Sequence, residues 1–198
     1  MSGMHTKERI FYASAKLFSE KGYSNVSVRE IADNVGIKAA SIYNHYPSKE
    51  SILEDIFDCI KKRQDAFQQE LEEKTACTDY KPDWTDMSLV YDPSELELML
   101  WLTRIMYMEQ FTSDRAADML VGRTQRYYVD GYQYILETLY KKGRIKNEKN
   151  IYYYAEIMAR LAQSMQLEFA HPELENNMED SRVLIELFYD MILAYEKK

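Results

Sequence analysis

"SVREIADNVGIKAASIYNHYPSKE", residues 27–50, decides how the whole chain reads. It opens on Ser27 and Glu30, an S-x-x-E box in which a hydroxyl and a carboxylate satisfy the orphan N–H donors at a helix start. Val28, Ile31, Ala32 and Val35 then recur at helical spacing, which predicts a short helix with one buried face. Gly36 breaks it. A second short helix fits Lys38 to His45, and Pro47 stops it, because the residue before a proline is pushed out of helical dihedrals. Ser48 is placed to cap a longer helix reaching about Glu73, with Ile52, Leu53, Ile56, Phe57 and Ile60 as its inner stripe. Upstream, Ile10, Ala13, Ser14, Leu17 and Phe18 predict a helix over Thr6–Lys21, stopped by Gly22. Two short helices about a glycine turn, packed on a first helix, form the helix-turn-helix pattern, with the motif over about 27–46.

Charge along this stretch supports that reading. The chain carries a net charge of -8, yet Gly36 to Lys49 holds no acid. Residues 1–50 contain seven Lys/Arg against five Asp/Glu, while residues 51–198 contain eighteen against twenty-eight. A carboxylate in the second short helix would face phosphate at contact distance, whereas the N–H groups of its first turn suit an anion. The acidic remainder keeps the rest of the chain off a phosphate backbone and turns the basic end toward it.

The residues Ser27, Gly36-Ile37, Ile42-Tyr43-Asn44-His45-Tyr46 and Ser48-Lys49-Glu50 stand in the order and spacing of a known signature. Over roughly residues 6–60 the chain resembles the N-terminal region of TetR-family transcriptional regulators; beyond that it resembles them only in helical architecture. The resemblance implies contact with double-stranded DNA. Tyr43 and Lys49 would meet phosphates, with Ser27 and Arg29 helping from the preceding helix. Lys38, Ala39, Ala40, Ser41 and Asn44 would face the major groove, where Asn can pair with adenine and Ala can meet a thymine methyl. His45 completes the set at the helix end, where packing is the alternative role. Lys38 departs from the Ser or Thr common there, exchanging a helix cap for a charge.

The rest of the chain predicts helices at about Ser94–Phe111 (capped by a second S-x-x-E box), from Asp114, over Arg123–Lys142, over Glu148–Ala170, and from Glu179 to the end. With only six glycines and four prolines and no convincing strand, the fold is all-α with about nine helices. A head over residues 4–66 precedes a larger ligand-binding and dimerisation domain over 67–198. Residues 74–93 lack periodicity and read as a long aromatic-containing flap.

Two faces of the larger domain invite partners. Trp101, Met108, Tyr128 and Tyr132 suit a pocket for an aromatic or lipophilic small-molecule effector, with Glu109 as an anchor for a cationic one. A plain helical core, with Glu109 at a solvated helix end, is the alternative. The last helix carries an apolar arc of about 200°, roughly twice what one buried face needs. Leu184, Phe188, Met191 and Ile192 on it, with Ala155, Ala159 and Ala162 on the preceding helix, therefore predict a homodimer face; a wholly intramolecular core is the alternative. A homodimer reads a palindromic operator.

Composition excludes other classes. No apolar run is long enough for a bilayer, the N-terminus has no signal-peptide core, and Cys59 and Cys77 make no disulfide framework, which together predict a cytoplasmic protein without a membrane partner. Its three histidines lie far apart, and no HExxH, glycine-rich phosphate loop, GxSxG or Cys/His cluster is present, so neither an enzyme, a metal nor a cofactor is expected. A ligand-responsive repressor is the leading reading. An activator or co-activator whose head grips a protein is the alternative.

Overall fold

The structure, a computed structural model, describes residues 4–75, 96–169 and 178–196. Its helices are α1 (Thr6–Lys21), α2 (Val28–Val35), α3 (Ala39–Ile42), α4 (Lys49–Thr75), α5 (Leu96–Glu109), α6 (Asp114–Ala117), α7 (Gln125–Lys141), α8 (Ile151–Phe169) and α9 (Met178–Glu196). There is no strand among the described residues, and no helix there is long and apolar enough to cross a membrane. The predicted flap over 74–93, Ser94 of the second capping box, and Cys77 lie outside the described residues apart from the last turn of α4.

The chain forms two compact units. The first takes α1 to α3, α4 as far as Arg63, α5 and the chain on to Leu120. Its core gathers Ile10 and Phe18 of α1, Ile31 of α2, Ile42 of α3, Ile52, Ile56 and Phe57 of α4, and Leu102 and Ile105 of α5. These are the stripes that sequence periodicity marks, with α5 added. Helix α5 packs on α1, so residues 96–120 belong with this compact unit although they follow the 4–66 head in sequence. The second unit holds α7, α8 and α9, packed in that order around Tyr132, Ile135, Leu136, Ala155, Met158, Ala159 and Ile192.

Helix ends follow their local chemistry. Ser48 and Ser51 cap the start of α4 reciprocally, each hydroxyl accepting the other's N–H, at 3.1 and 3.2 Å. Helix α5 ends at Glu109 rather than Phe111, because the Glu109 carbonyl accepts from Thr112 and Ser113 and turns the chain; Phe111 is then 89% exposed. Between α6 and α7 the chain does not break as the sequence pattern suggests. Residues Asp118–Thr124 continue as a π-helix, a widened turn for which apolar periodicity carries no signal.

Gly36 ends α2 at φ 76°, ψ 38°, the left-handed region. Its N–H and that of Ile37 close back on Asp33 and Ala32, at 3.2 and 3.0 Å, a Schellman-type stop. A Cβ at Gly36 would meet nothing within 4 Å, so the requirement is purely conformational. Gly36→Ala is expected to cost about 1 kcal/mol of stability, since L residues pay roughly that to enter this region. Chemical denaturation of the two chains checks it, and an unchanged midpoint would refute the requirement.

Candidate nucleic-acid interface

Ser27 sits at the N-cap of α2 in extended backbone, and its hydroxyl accepts from the Glu30 N–H at 3.2 Å. The Glu30 carboxylate is held below its ordinary pKa, first by a hydrogen bond from Lys21 and also by the Ser27 N–H. Ser27 therefore caps α2 as predicted, and the Glu30 carboxylate adds an ion pair to α1. At the other end of α2, the Arg9 guanidinium reaches from α1 and donates to the Val35 carbonyl. A cation there satisfies an orphan acceptor and complements the helix dipole. The turn between α2 and α3 is thus fixed by a glycine, two backbone bonds and one arginine.

Helix α3 is shorter than the predicted 38–45. It spans four residues and runs on as hydrogen-bonded turns, with the His45 and Tyr46 N–H groups both donating to Ile42 O at 2.9 Å. Tyr46 is the cause. Its ring is buried, and its hydroxyl donates to Asp55 at 2.7 Å. Burial, then that hydrogen bond, push its phenol far above the ordinary range. Lys7 pairs with the same carboxylate at 3.4 Å and lies 5.0 Å from the ring centre. Pulled inward at Ile42 and Tyr46, this segment turns its remaining side chains out. Lys38, Ala40, Tyr43, Asn44 and His45 are exposed, and Ala39 and Ser41 are half-buried. Lys38 occupies the N-cap with no side-chain cap bond, as its chemistry requires.

These side chains share a second property. Those of Arg29, Lys38, Tyr43, Asn44 and His45 make no hydrogen bond or ion pair, whereas Lys7, Arg9, Lys21 and Lys49 in the same unit are all engaged. Lys49 is the instructive case. Its ammonium curls back to donate to the carbonyls of Tyr23 and Val26, both at 2.8 Å, and lies 4.1 Å from the Tyr23 ring centre. Burial lowers its pKa, with the Glu109 charge opposing. Two of its three donors serve the α1–α2 turn. This is a clamp on the head, which the expected phosphate role did not include.

The candidate effector residues fall apart. Trp101, Met108 and Glu109 belong to the first unit; Tyr128 and Tyr132 belong to the second. Glu109 is buried and spoken for, since it accepts the Tyr23 N–H at 2.9 Å and the Thr112 hydroxyl at 2.8 Å. It is no solvated helix end, since both carboxylate oxygens already accept from the first unit's own donors. Met108 lies beside Gly22, where a Cβ would come within 3.3 Å of its methyl. In the second unit an open cleft of about 150 Å³ is lined by Gln64, Asp65, Arg123, Arg126, Tyr127 and Asp130.

The candidate dimer face must be redrawn. Ala155, Ala159 and Ala162 are buried inside their own unit, where α8 packs against α7 and α9, and Ile192 is buried with them. Their small size serves close approach within the chain. Leu184 and Met191 remain exposed and Phe188 is half-buried. Leu187, at 54% exposure, joins Leu184 and Met191 on one stripe, and Tyr153 and Ile157 of α8 are exposed as well. Sequence reasoning missed Arg9, the clamp by Lys49, and Glu196. That last carboxylate, at the end of α9, is buried under four hydrogen bonds.

Comparison with known proteins agrees with the head. A family profile described as "Bacterial regulatory proteins, tetR family" matches residues 10–56. The biofilm operon icaADBC HTH-type negative transcriptional regulator IcaR of Staphylococcus aureus (strain Newman) is 45% identical over 53 residues, which is 27% of this chain and 28% of that protein's length. Two solved structures share the fold over nearly the full length. A TetR transcription regulator from Haloarcula marismortui ATCC 43049 aligns with a TM-score of 0.69 at 14% identity, over 94% of this chain and 97% of that one. The SmeT–triclosan complex aligns with a TM-score of 0.69 at 20% identity, over 96% and 90%. A glycine-turned pair of short helices with an unpaired, acid-free outer face and a matching profile over residues 10–56 make the head of this chain similar to that of the tetR family of bacterial regulatory proteins.

Proposed function

We propose that this protein is a ligand-responsive transcriptional repressor that binds a palindromic operator in double-stranded DNA as a homodimer, acting in the cytoplasm. One observation carries the DNA reading: in a chain of net charge -8, the outer face of α3 and its flanks presents Lys38, Tyr43, Asn44 and His45 exposed and unpaired, with no acid from Gly36 to Lys49. Tyr43 suits a phosphate oxygen, and Lys38, Ala39, Ala40, Ser41 and Asn44 suit base edges of the major groove. Ser27 and Arg29 support from the start of α2. Lys49 acts on the head's shape, with one donor left for phosphate.

The homodimer rests on the exposed apolar stripe of α9. Leu184, Leu187 and Met191 are each more than half exposed, and contiguous large apolar side chains on a surface mark an interaction site. A two-fold pair of heads would meet half-sites about 34–36 Å apart. Repression follows the sign of the relative with the similar head, and effector response follows the SmeT–triclosan complex of the same fold. A bound effector shifts the population of head arrangements and releases the operator.

Selection of bound sequences from random DNA identifies the operator. On it, Lys38→Ala is expected to weaken binding about tenfold or more and to reduce the salt slope by about 2, as loss of one cationic contact in each subunit does. Tyr43→Ala weakens it comparably without changing oligomeric state. Unchanged operator affinity in both variants would refute the interface. Binding to a protein but to no DNA at low salt would favour the co-activator reading.

A further inference from the structure

Among the described residues, two side chains of the second unit carry buried polar atoms without a hydrogen-bond partner. Tyr132, in the middle of α7, is wholly buried, and its hydroxyl makes no hydrogen bond. The amide of Gln125, at the start of α7, has both Nε2 and Oε1 buried and unpaired. Buried polar groups in folded proteins are nearly always hydrogen-bonded, because each forfeits its bond to water on burial. Three such atoms on one helix call for a reason.

Their placement supplies one. Residues 125 and 132 are seven apart, close to two full turns, so they project from the same face of α7 about 10 Å apart along its axis. Tyr128 and Val129, both buried, lie between them on that face. The stripe is thus apolar in the middle with neutral hydrogen-bonding groups toward both ends. A charge is not on offer. Among the described residues, the one buried ionised group of this unit is Glu196, and its hydrogen bonds go to the α7–α8 turn and Tyr154. A ligand cation or anion on this face would be stripped of water with no counter-charge. The open cleft that holds Arg123 and Arg126 is lined from α7 by Tyr127 and Asp130, which at about 100° per residue lie on the opposite side of that helix.

We propose that Gln125 and Tyr132 are the recognition groups of the effector site, and that the effector is an uncharged, elongated, largely apolar molecule with a hydroxyl or carbonyl toward each end. This rests on the reading of the chain as a ligand-responsive regulator. The Gln125 amide both donates and accepts, and the Tyr132 hydroxyl does the same, so the pair fits neutral oxygen functions.

Four probes of one chain length test it on the full protein without DNA: 1-decanol, 1,10-decanediol, decanoate and decyltrimethylammonium. The two alcohols are expected to raise the melting temperature of the wild type, the diol more, and the two ions far less. Tyr132→Phe and Gln125→Leu are expected to leave the ligand-free melting temperature unchanged or higher, since each deletes an unpaired polar group. Each variant is expected to weaken diol binding about tenfold. A lower ligand-free melting temperature in both variants would show the groups already satisfied, by protein or by ordered water, and overturns the proposal. So does an ion that binds as tightly as the diol, wild-type protein that binds neither alcohol, or diol binding that the variants leave intact. Operator binding is measured separately with no probe present. Its absence sinks the regulator reading alone, and its presence beside a failed probe test sinks this proposal alone.

Discussion

Glu109→Ala is expected to lower the stability of the first unit by about 3 kcal/mol and operator affinity by about tenfold at temperatures where the chain is still folded. The α1–α2 turn runs from Gly22 to Ser27, directly before α2. On one side Lys49 holds its carbonyls, with Nζ 2.8 Å from both Tyr23 O and Val26 O. On the other side the Glu109 carboxylate takes the Tyr23 N–H at 2.9 Å, and its second oxygen takes the Thr112 hydroxyl at 2.8 Å. The Tyr23 ring stands edge-on to Phe18 at 5.3 Å between centroids. Hydrogen bonds to a charged group contribute about 1.5–3 kcal/mol each, and deleting one partner leaves the other unsatisfied. Alanine removes both acceptors and the charge that favours the Lys49 ammonium. Glu109→Gln keeps an oxygen for the Tyr23 N–H and an amide for the Thr112 hydroxyl, so about 1 kcal/mol is its expected cost. Denaturant titration of the three chains, with amide exchange at Tyr23, checks this. Equal stability of Glu109→Ala and wild type would remove the bridge from the account of how α2 and α3 are held.

That bridge also shows where a sequence stops speaking. The wheel position of Glu109, on the same face as Leu98, Leu102 and Ile105, already places it inward, and it is buried. Its partner stands 86 residues away, and no local pattern encodes that distance. Lys49 teaches the same lesson at a helix start. A long side chain there can extend to a phosphate or curl back over the preceding turn, and sequence spacing is identical for both. The alanines of α8 report that something approaches closely without saying what. The approaching elements turn out to be the chain's own helices. By contrast, the helix-turn-helix head is legible nearly to the residue. Ser27, Gly36, Pro47 and Ser48 each act through bonds spanning a few positions, and those rules are local. Helix α3 is misjudged only in length, because its end is set by Tyr46 reaching Asp55 in the next helix.

The last helix provides the second large effect. Glu196 is 5% exposed. One of its oxygens accepts the N–H groups of Lys146 and Asn147, both at 2.9 Å, and the other accepts the Tyr154 hydroxyl at 2.9 Å and the Asn150 amide at 3.4 Å. It therefore stitches the end of α9, the helix that carries the proposed dimer stripe, to the turn between α7 and α8. Burial alone would raise its pKa, but the backbone bonds from Lys146 and Asn147, then Tyr154 and Asn150, outweigh it and hold the carboxyl below the ordinary glutamate range. The sign follows. A folded pKa below the unfolded one means that the unfolded chain takes up protons first as pH falls. The contribution of Glu196 to stability is thus complete above the ordinary glutamate pKa, declines as pH drops through that value, and is gone below the folded pKa. Glu196→Ala is expected to cost about 3 kcal/mol at neutral pH, since two backbone donors and a phenol lose a charged acceptor together. Glu196→Gln, which keeps one acceptor oxygen, is expected to cost about 1 kcal/mol. The Glu196→Gln penalty shrinks toward zero in acid, where the wild type has lost the same charge, while Glu196→Ala keeps the part that comes from its missing acceptor oxygens. Denaturant titrations across the acid range, at one fixed protein concentration because dimerisation would shift apparent stability, read this directly. A wild-type to Glu196→Gln gap that stays constant down to the lowest pH would mean that the carboxylate's charge does not hold α9 to the α7–α8 turn.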